Sequence, residues 1–490
     1  MAPRIEAPEF RLTKTDVVKK VEDILAPLKL SEEVQKRIRE VYDEEMRIGL
    51  ARNPSRKSCL QMENTYLPEL PNGTEEGEYL ALDLGGTNFR VILLQLEKGR
   101  VVSDEVQHYF VPEPLRVGPG SELFDFLAAC IYDFLETRSK LDHKLPLGFT
   151  FSFPMTQQDL NVGILVSWTK SFNCPGVVGE DAVKMLNEAI QRRGDLEVEV
   201  VAVLNDTTGT LVQGAFLDRK CAIGLIIGTG SNACYIERVD RVEKWEGTHG
   251  DIKEVVVDIE WGAFGDNGVL DFMKTEYDQM LDKNSLLVGS FTFEKLFSGK
   301  YLGELTRLVL VKLAEEGLMF GGKIPSQLLR PGSFPTRFVS LVEQFSMGIE
   351  GDIPTDQSEE SAKHLDQDAV LKLARPVSSE SCFHELGIEH GSDDLKILQQ
   401  VCFAVTERAA ILLAICLSAT LMRVDREECT IAVDGSLYKY HPRLHHLLEH
   451  YIIKMTPGKK FSLLLAEDGS GKGAGLIAAI ANRLRTRKHS

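Results

Sequence analysis

The sequence predicts an α/β protein of two related lobes with a cleft between them. Three observations carry that prediction. Apolar runs of strand length alternate with helical periodicity along most of the chain. A glycine-turned hairpin occurs twice: residues 79–84, the turn Gly85-Gly86-Thr87-Asn88 and residues 89–94, then residues 221–227, the turn Gly228-Thr229-Gly230-Ser231-Asn232 and residues 233–236. At 490 residues the chain exceeds what a single core commonly organises. Glycine lets a backbone turn tightly and approach a ligand, successive N–H groups bind anions, and a Thr hydroxyl adds a donor. Two such turns, each between buried strands, suit a grip on a polyphosphate from both sides.

The elements follow in order. Residues 13–50 read as two helices, the first with an apolar stripe at Val17, Val18, Val21 and Ile24, the second capped by Ser31 and bearing Val34, Ile38 and Val41. Residues 54–77, rich in Pro, Asn, Gly and Glu, read as a loop. From 78 to about 205 strands and helices alternate, ending in the apolar run 198–204 before Asn205-Asp206-Thr207. Strand patterns return at 221–265, and 267–320 is mostly helical. The acidic, Ser-rich segment 345–380 reads as a solvated insertion. A helix over about 395–423 follows. Its apolar stretch 409–422 is shorter than the ~20 residues that span a bilayer, so it reads as a buried core helix. Residues 430–436 and 461–465 are strands, and 468–475 opens a helix running to about Arg483, followed by a fraying basic tail. The expected organisation is N-terminal helices (1–76) packed on the large lobe, a small lobe (77–206), a large lobe (207–465) and a final segment (466–490) returning to the small lobe.

Charge and cysteine usage narrow the function. A formal net charge of −17 argues against nucleic-acid and membrane-surface binding. An anionic nucleotide would need local basic groups or magnesium. The nine cysteines are odd in number, lack a C-x-x-C pair and sit mostly in apolar runs, which fits reduced, buried thiols in a cytosolic protein. The segment 1–8 has no apolar signal core.

Asp206 follows a buried strand, where ligands bind in α/β sheets, and a carboxylate there can take a proton from a substrate hydroxyl. An Asx-turn residue ending the strand is the other reading. Ser152, Thr169 and Lys170 are donors suited to sugar hydroxyls or phosphate, although the same stretch also reads as a strand, a loop and a packed Trp, with Lys170 in a structural salt bridge. Two look-alikes fail or stand alone. The run 468–473 resembles a Walker A loop, but Gly473 stands where Ser or Thr should follow Lys472. His446-Leu-Leu-Glu-His450 matches the inverted zinc-protease pattern, and with His441 and His445 it reads instead as the solvated face of a charged helix.

Leu147-Gly-Phe-Thr-Phe-Ser-Phe-Pro, continuing after a five-residue gap (155–159) toward Ser167-Trp-Thr-Lys-Ser-Phe172, is similar to the hexokinase signature. The resemblance runs from about 15 to 484, broken by the acidic insertion. It includes the phosphate motifs at 82–90 and 227–232, the stretches at 204–207 and 259–265, and the C-terminal nucleotide stretches at 433–436 and 467–473. It implies the duplicated actin-like, ribonuclease-H-like fold. It implies Asp206 as the general base on the sugar 6-hydroxyl and Lys170 as the neutraliser of the transferring phosphoryl group. Ser152, Phe153, Thr169, Lys170, Asn205, Asp206, Asn232, Glu260 and Glu294 would hold the hexose, Glu294 by the match at 293–304. Asp83, Gly85, Gly86, Thr87, Asn88, Thr229, Gly230, Thr336, Ser340, Gly435, Ser436 and Ser470 would line the ATP site, with magnesium held indirectly near Asp83.

The expectation is a single-unit cytosolic hexokinase that phosphorylates glucose, and also mannose and fructose, from Mg-ATP at the first step of glycolysis. It would be a monomer or weak oligomer without the apolar leader that anchors some relatives to mitochondria. The resemblance also implies inhibition by glucose 6-phosphate near Thr87 and Ser152. Two departures are visible: the insertion, and Gly475 where many relatives carry Ala, which would loosen the start of the last helix. An idle sugar sensor, a zinc peptidase and an actin-like ATPase are the rival readings. Low-affinity and high-affinity sugar kinases are not separated.

Overall fold

The computed structural model describes residues 10–13, 15–85, 88–169, 172–246, 252–348 and 381–489. Gly86, Thr87, Lys170 and residues 349–380 of the expected insertion lie outside the described residues, while its first two residues, Phe345 and Ser346, end the helix Thr336–Ser346.

The first strand, β1 (Glu63–Asn64), is two residues long and lies within the segment expected to be loop. It pairs with the edge of the second sheet, too briefly to leave a periodic signature. The first sheet begins with an antiparallel meander, β2 (Gly77–Leu84), β3 (Asn88–Glu97) and β4 (Arg100–Phe110). β5 (Leu145–Phe151) joins β2 in parallel. β6 (Met155–Asp159) and β7 (Val162–Leu165) form a separate hairpin. β8 (Val198–Leu204) joins β5 in parallel, giving the order β4-β3-β2-β5-β8.

The second sheet repeats the plan. β9 (Cys221–Ile227), β10 (Ser231–Arg238) and β11 (Glu254–Asp258) form the meander. β12 (Glu428–Asp434) joins β9 in parallel and β13 (Lys460–Leu465) joins β12, with β1 at the far edge. Each copy therefore makes a three-strand meander and then adds two parallel strands on the side of its first strand. Both turns singled out in the sequence occupy the same place, between the first and second strands of a copy.

The small sheet buries Leu80, Leu82, Phe149 and Val203 against Phe124, Ile131 and Leu186 of the helices Gly120–Glu136 and Ala182–Arg193. Ala81, Ile92, Ala202 and Leu204 join a larger core that runs through the second sheet. The helices Asp206–Leu217 and Gly469–His489 contribute Leu211, Ala474 and Ile477 to it. These two helices approach so closely that a Cβ on Gly473 would lie 2.1 Å from the Gly209 carbonyl oxygen, a contact only glycine permits.

The helix Ser392–Arg423 is long and apolar enough to cross a membrane, but 89% of its most apolar stretch is buried inside the protein. It is a core helix, as its sequence predicts. The helix Glu32–Leu50 packs against it, with the Tyr42 hydroxyl 3.4 Å from Thr420 Oγ1. Ser31 caps that helix by accepting from Val34 N–H at 3.3 Å.

Candidate active site

In both sheets the candidate residues gather where parallel strands end. Leu84 of β2 is in register with Phe151 of β5, and Thr150 of β5 with Leu204 of β8. Gly85, Ser152 and Asn205-Asp206 therefore leave neighbouring strands side by side, and the Ser152 N–H donates to the Leu84 carbonyl at 3.1 Å. Asp434 of β12 is in register with Ile226 of β9, so Gly435 and the Gly228 turn are neighbours in the second sheet. Open α/β sheets bind ligands at this edge because the chain must leave each strand there as a loop.

One group is a network of amides and carboxylates. Asn205 caps the helix Asp206–Leu217: its Oδ1 accepts from Thr207 N–H and from Thr207 Oγ1, each at 2.9 Å. Asp206 is thus the first residue of a helix, at the positive end of the helix dipole, and its Oδ1 also accepts from Thr207 N–H at 3.0 Å. Asn205 Nδ2 donates to Glu260 Oε1 at 3.3 Å. Asn232 Oδ1 accepts from Ala233 N–H (2.7 Å) and Trp261 N–H (3.3 Å), while its Nδ2 donates to Asp258 Oδ1 at 2.7 Å and reaches Asn205 Oδ1 at 3.5 Å. Glu294 Oε2 accepts from Ser231 N–H at 3.0 Å, and a Cβ on Gly230 would lie 2.5 Å from that oxygen. Glu260 holds a left-handed backbone (φ 52°), a conformation that costs a non-glycine residue about 1–3 kcal/mol and clusters at functional sites. The adjacent pair Asn205-Asp206 and the distant Asn232, Glu260 and Glu294 are thereby one constellation. It presents the mixed donors and acceptors that recognise a polyol.

Asp258 belongs to this constellation and was not singled out in the sequence. It is 5% exposed, and burial pushes its carboxyl up to about 7, opposed by the Asn232 hydrogen bond and reinforced by the charge of Asp206.

Ser152, Phe153 and Thr169 form a second group. The Phe153 ring is 1% exposed and packs on Phe151, Trp168 and Phe172 at centroid distances of 4.8, 4.8 and 5.2 Å. Its ring is core, so any contact with a ligand is left to its backbone. Thr169 accepts through its carbonyl from Phe172 N–H at 3.0 Å.

The third group is charged. Arg90 on β3 pairs with Asp83 on β2, and with Asp468 at 2.6 Å. Ser470 Oγ donates to Asp83 Oδ2 at 2.8 Å. Asp434 accepts from Gly435 N–H (2.7 Å) and Gly469 N–H (3.0 Å). Burial pushes the Asp434 carboxyl up to about 6, which Gly435 N–H and Arg90 oppose and Asp468 and Asp83 reinforce. Three carboxylates around one guanidinium form a hard-oxygen set with charge to spare, which fits a magnesium-bearing nucleotide. Gly435 (φ 114°) lies against the second turn, where a Cβ would come within 2.5 Å of the Ile227 carbonyl. Gly228 O and Thr229 O accept from Gly299 and Lys300 N–H at 2.9 and 3.0 Å, leading into the helix Leu302–Glu315. Thr336 Oγ1 accepts from Gly303 N–H at 2.9 Å, in that helix's first turn. Thr336 opens another helix, Thr336–Ser346, and Ser340 is buried one turn along it. Asn88 begins β3.

The look-alike motifs resolve differently. The glycines of 468–473 serve packing, and Lys472 pairs with Asp104 of β4 at 2.8 Å. His441 corrects the reading of a histidine-bearing helix face. It precedes the helix Leu444–Met455, is buried, and lies 3.3 Å from Thr406 Oγ1. Among the described residues, potential ligand atoms cluster within 4.8 Å at His445, His446 and Glu449, a different trio from the one the protease pattern names. The His450 ring instead packs on Tyr451 at 5.0 Å.

The duplicated sheets, with an amide–carboxylate constellation beside glycine turns, define a duplicated α/β fold of the actin-like class. Two family models, both described as hexokinase, match residues 20–216 and 222–480. The chain is 41% identical to human hexokinase-1 over 99% of its own length and 50% of the relative's, and 42% identical to human hexokinase-2 over 96% and 49%. It spans about half the length of these curated relatives. The structure of a hexokinase from Schistosoma mansoni, complexed with glucose, is 40% identical, with a TM-score of 0.80 and coverage of 96% of this chain and all of that one. A second hexokinase crystal structure is 30% identical, with a TM-score of 0.77 and coverage of 95% and 100%. The chain belongs to the hexokinase family.

Proposed function

We propose that this chain is an ATP-dependent hexokinase that transfers the terminal phosphoryl group of Mg-ATP to the 6-hydroxyl of glucose and related hexoses. The observation that carries this reading is the single constellation joining Asn205, Asp206, Asn232, Glu260 and Glu294, one turn of chain from the glycine bend at Thr229-Gly230. The amides and carboxylates grip the sugar hydroxyls, and a site built that way rejects analogues lacking a hydroxyl. Asp206 takes the proton from the 6-hydroxyl as it attacks. Lys170 meets the charge of the moving phosphoryl group. Ser470, Gly435, Ser436 and the two glycine turns hold the nucleotide.

Magnesium, when bound with ATP, neutralises phosphate charge, and Asp83 with Asp434 would hold it. Phosphoryl transfer depends on positioning and charge neutralisation, so a site of this composition suffices without a covalent intermediate. We read 77–206 and 207–465 as the two lobes, closing on sugar to exclude water. Nine buried, free cysteines support a reducing, cytosolic setting. Glucose 6-phosphate as an inhibitor, bound near Thr87 and Ser152, belongs to the same reading.

A coupled assay over a hexose panel tests it. Turnover should depend on sugar. Asp206→Ala should lose roughly 10²–10⁴-fold in rate while still binding glucose by calorimetry. Equal ATP hydrolysis with and without sugar would support the ATPase reading instead.

A further inference from the structure

The constellation contains one carboxyl for which the reaction just described has no use. Asp258 closes β11, and its register partners are Cys234 on β10 and Glu63 on β1. Its Oδ1 accepts from Asn232 Nδ2 at 2.7 Å and from Glu260 N–H at 3.4 Å. Among the described residues it has no ion-pair partner. A carboxyl placed in a core without a cation is costly, and a hydrophobic or amide residue of similar size would avoid the cost.

Its neighbours explain what it can do. Asn232 is oriented from both ends. Two backbone N–H groups, of Ala233 and Trp261, demand its oxygen, and Asp258 accepts from its nitrogen. The second proton on that nitrogen is left pointing toward Asn205, 3.5 Å away, on the side where Asn205 meets Glu260. Asp258 also lies within the electrostatic reach of Asp206.

We propose that Asp258 is a positioning residue for phosphoryl transfer: it locks the Asn232 amide in the orientation that serves the hexose. The inference rests on the hexokinase reading and deepens it.

Either protonation state of Asp258 keeps an oxygen for Asn232, so the orientation persists across pH. Burial raises the carboxyl to about 7, so it is largely neutral in mild acid and ionised in mild base, and both forms can accept from the Asn232 amide.

Two variants test the proposal. Asp258→Asn keeps a carbonyl oxygen for Asn232 and removes the charge. Asp258→Ala removes both. In the intact chain, glucose affinity by calorimetry should be nearly unchanged in Asp258→Asn and roughly tenfold weaker in Asp258→Ala, because a buried amide donor loses its acceptor. Thermal melts identify a variant that fails to fold, and Asp258→Leu, which fills the space without an acceptor, then takes the place of Asp258→Ala. Unchanged glucose affinity in the folded variant without an acceptor overturns the proposal, as does a loss in Asp258→Asn equal to the loss in that variant. A parent with no sugar-dependent turnover would sink the hexokinase reading itself, and that is read from the parent alone.

Discussion

Ser470 Oγ and Asp83 Oδ2 are 387 positions apart in sequence and 2.8 Å apart in space. The last helix of the chain thereby docks on the strand that enters the first glycine turn. Arg90 Nη2 also reaches Ser470 Oγ, at 3.1 Å, so hydroxyl, carboxylate and guanidinium form one closed set.

Arg90 is the only cation among the described residues paired to this set. Replacing it by methionine keeps the stem and removes the charge, leaving Asp83, Asp434 and Asp468 to repel one another. Arg90→Met should lower stability in urea by about 2–3 kcal/mol at neutral pH, below the full cost of breaking a buried pair because Asp468 is half-exposed. Millimolar magnesium should recover part of the loss. An unaltered unfolding midpoint would show that the carboxylates do not interact.

Asp434 gives a pH signature of opposite sign to ordinary acid denaturation. Its folded carboxyl binds a proton more tightly than the unfolded chain does, with a value of about 6 against an ordinary 3.8. Its stabilising contribution is therefore fully present below about pH 4 and is lost as pH rises through about 6. Asp434→Asn should remove that slope, gaining about 2 kcal/mol over the parent between pH 4 and 7 in parallel urea titrations. The same slope in both proteins would refute the assignment.

The contact between Gly209 and Gly473 makes a sharper mutational prediction. A Cβ on Gly473 would meet the Gly209 carbonyl oxygen, carbon and Cα at 2.1, 2.4 and 2.5 Å, all of them backbone. Gly473→Ala should therefore cost about 2–3 kcal/mol by thermal melting, despite alanine's better helix propensity. It should also depress turnover, because the displaced helices carry Ser470 and Asp206. Gly475→Ala is the control. Its Cβ would meet the Leu94 side-chain tip at 2.3 Å, which can rotate, so its cost should be smaller. Equal effects would mean that the two helices do not constrain each other.

How much of this was legible in the sequence depends on the range of each interaction. The paired hairpins, the Ser31 cap and the core helix Ser392–Arg423 were readable because turn chemistry, capping and apolar runs act over a few residues. Asp206 was readable as a carboxylate at a strand end, and Asn232 and Glu294 were named through resemblance, but the bonds that join this group span up to 63 positions and leave no local mark. Arg90 and Asp434 stood inside quoted motifs and were passed over, since their meaning lies in partners such as Asp468 and Gly469 on the far side of the fold. Asp258 had no local signal beyond a polar residue ending an apolar strand. His441 was misread because histidine spacing suggests a shared helix face, whereas its environment is set by Thr406 and Glu343 from other helices.

Eight of the nine buried thiols divide between the two main cores of the molecule, and Cys221 lies in a third, small cluster with Ala215, Ala432 and Ala466. Cys130 and Cys174 lie in the core of the small sheet, while Cys59, Cys234, Cys382, Cys402, Cys416 and Cys429 lie in the larger one. Burial raises Cys130 to about 12 and Cys174 to about 11, so neither reacts with an alkylating reagent while its surroundings stay closed. Peptide-resolved alkylation in mild denaturant would then act as a pair of clocks, one for each half. If sugar clasps the halves together, glucose should bring the two clocks into step.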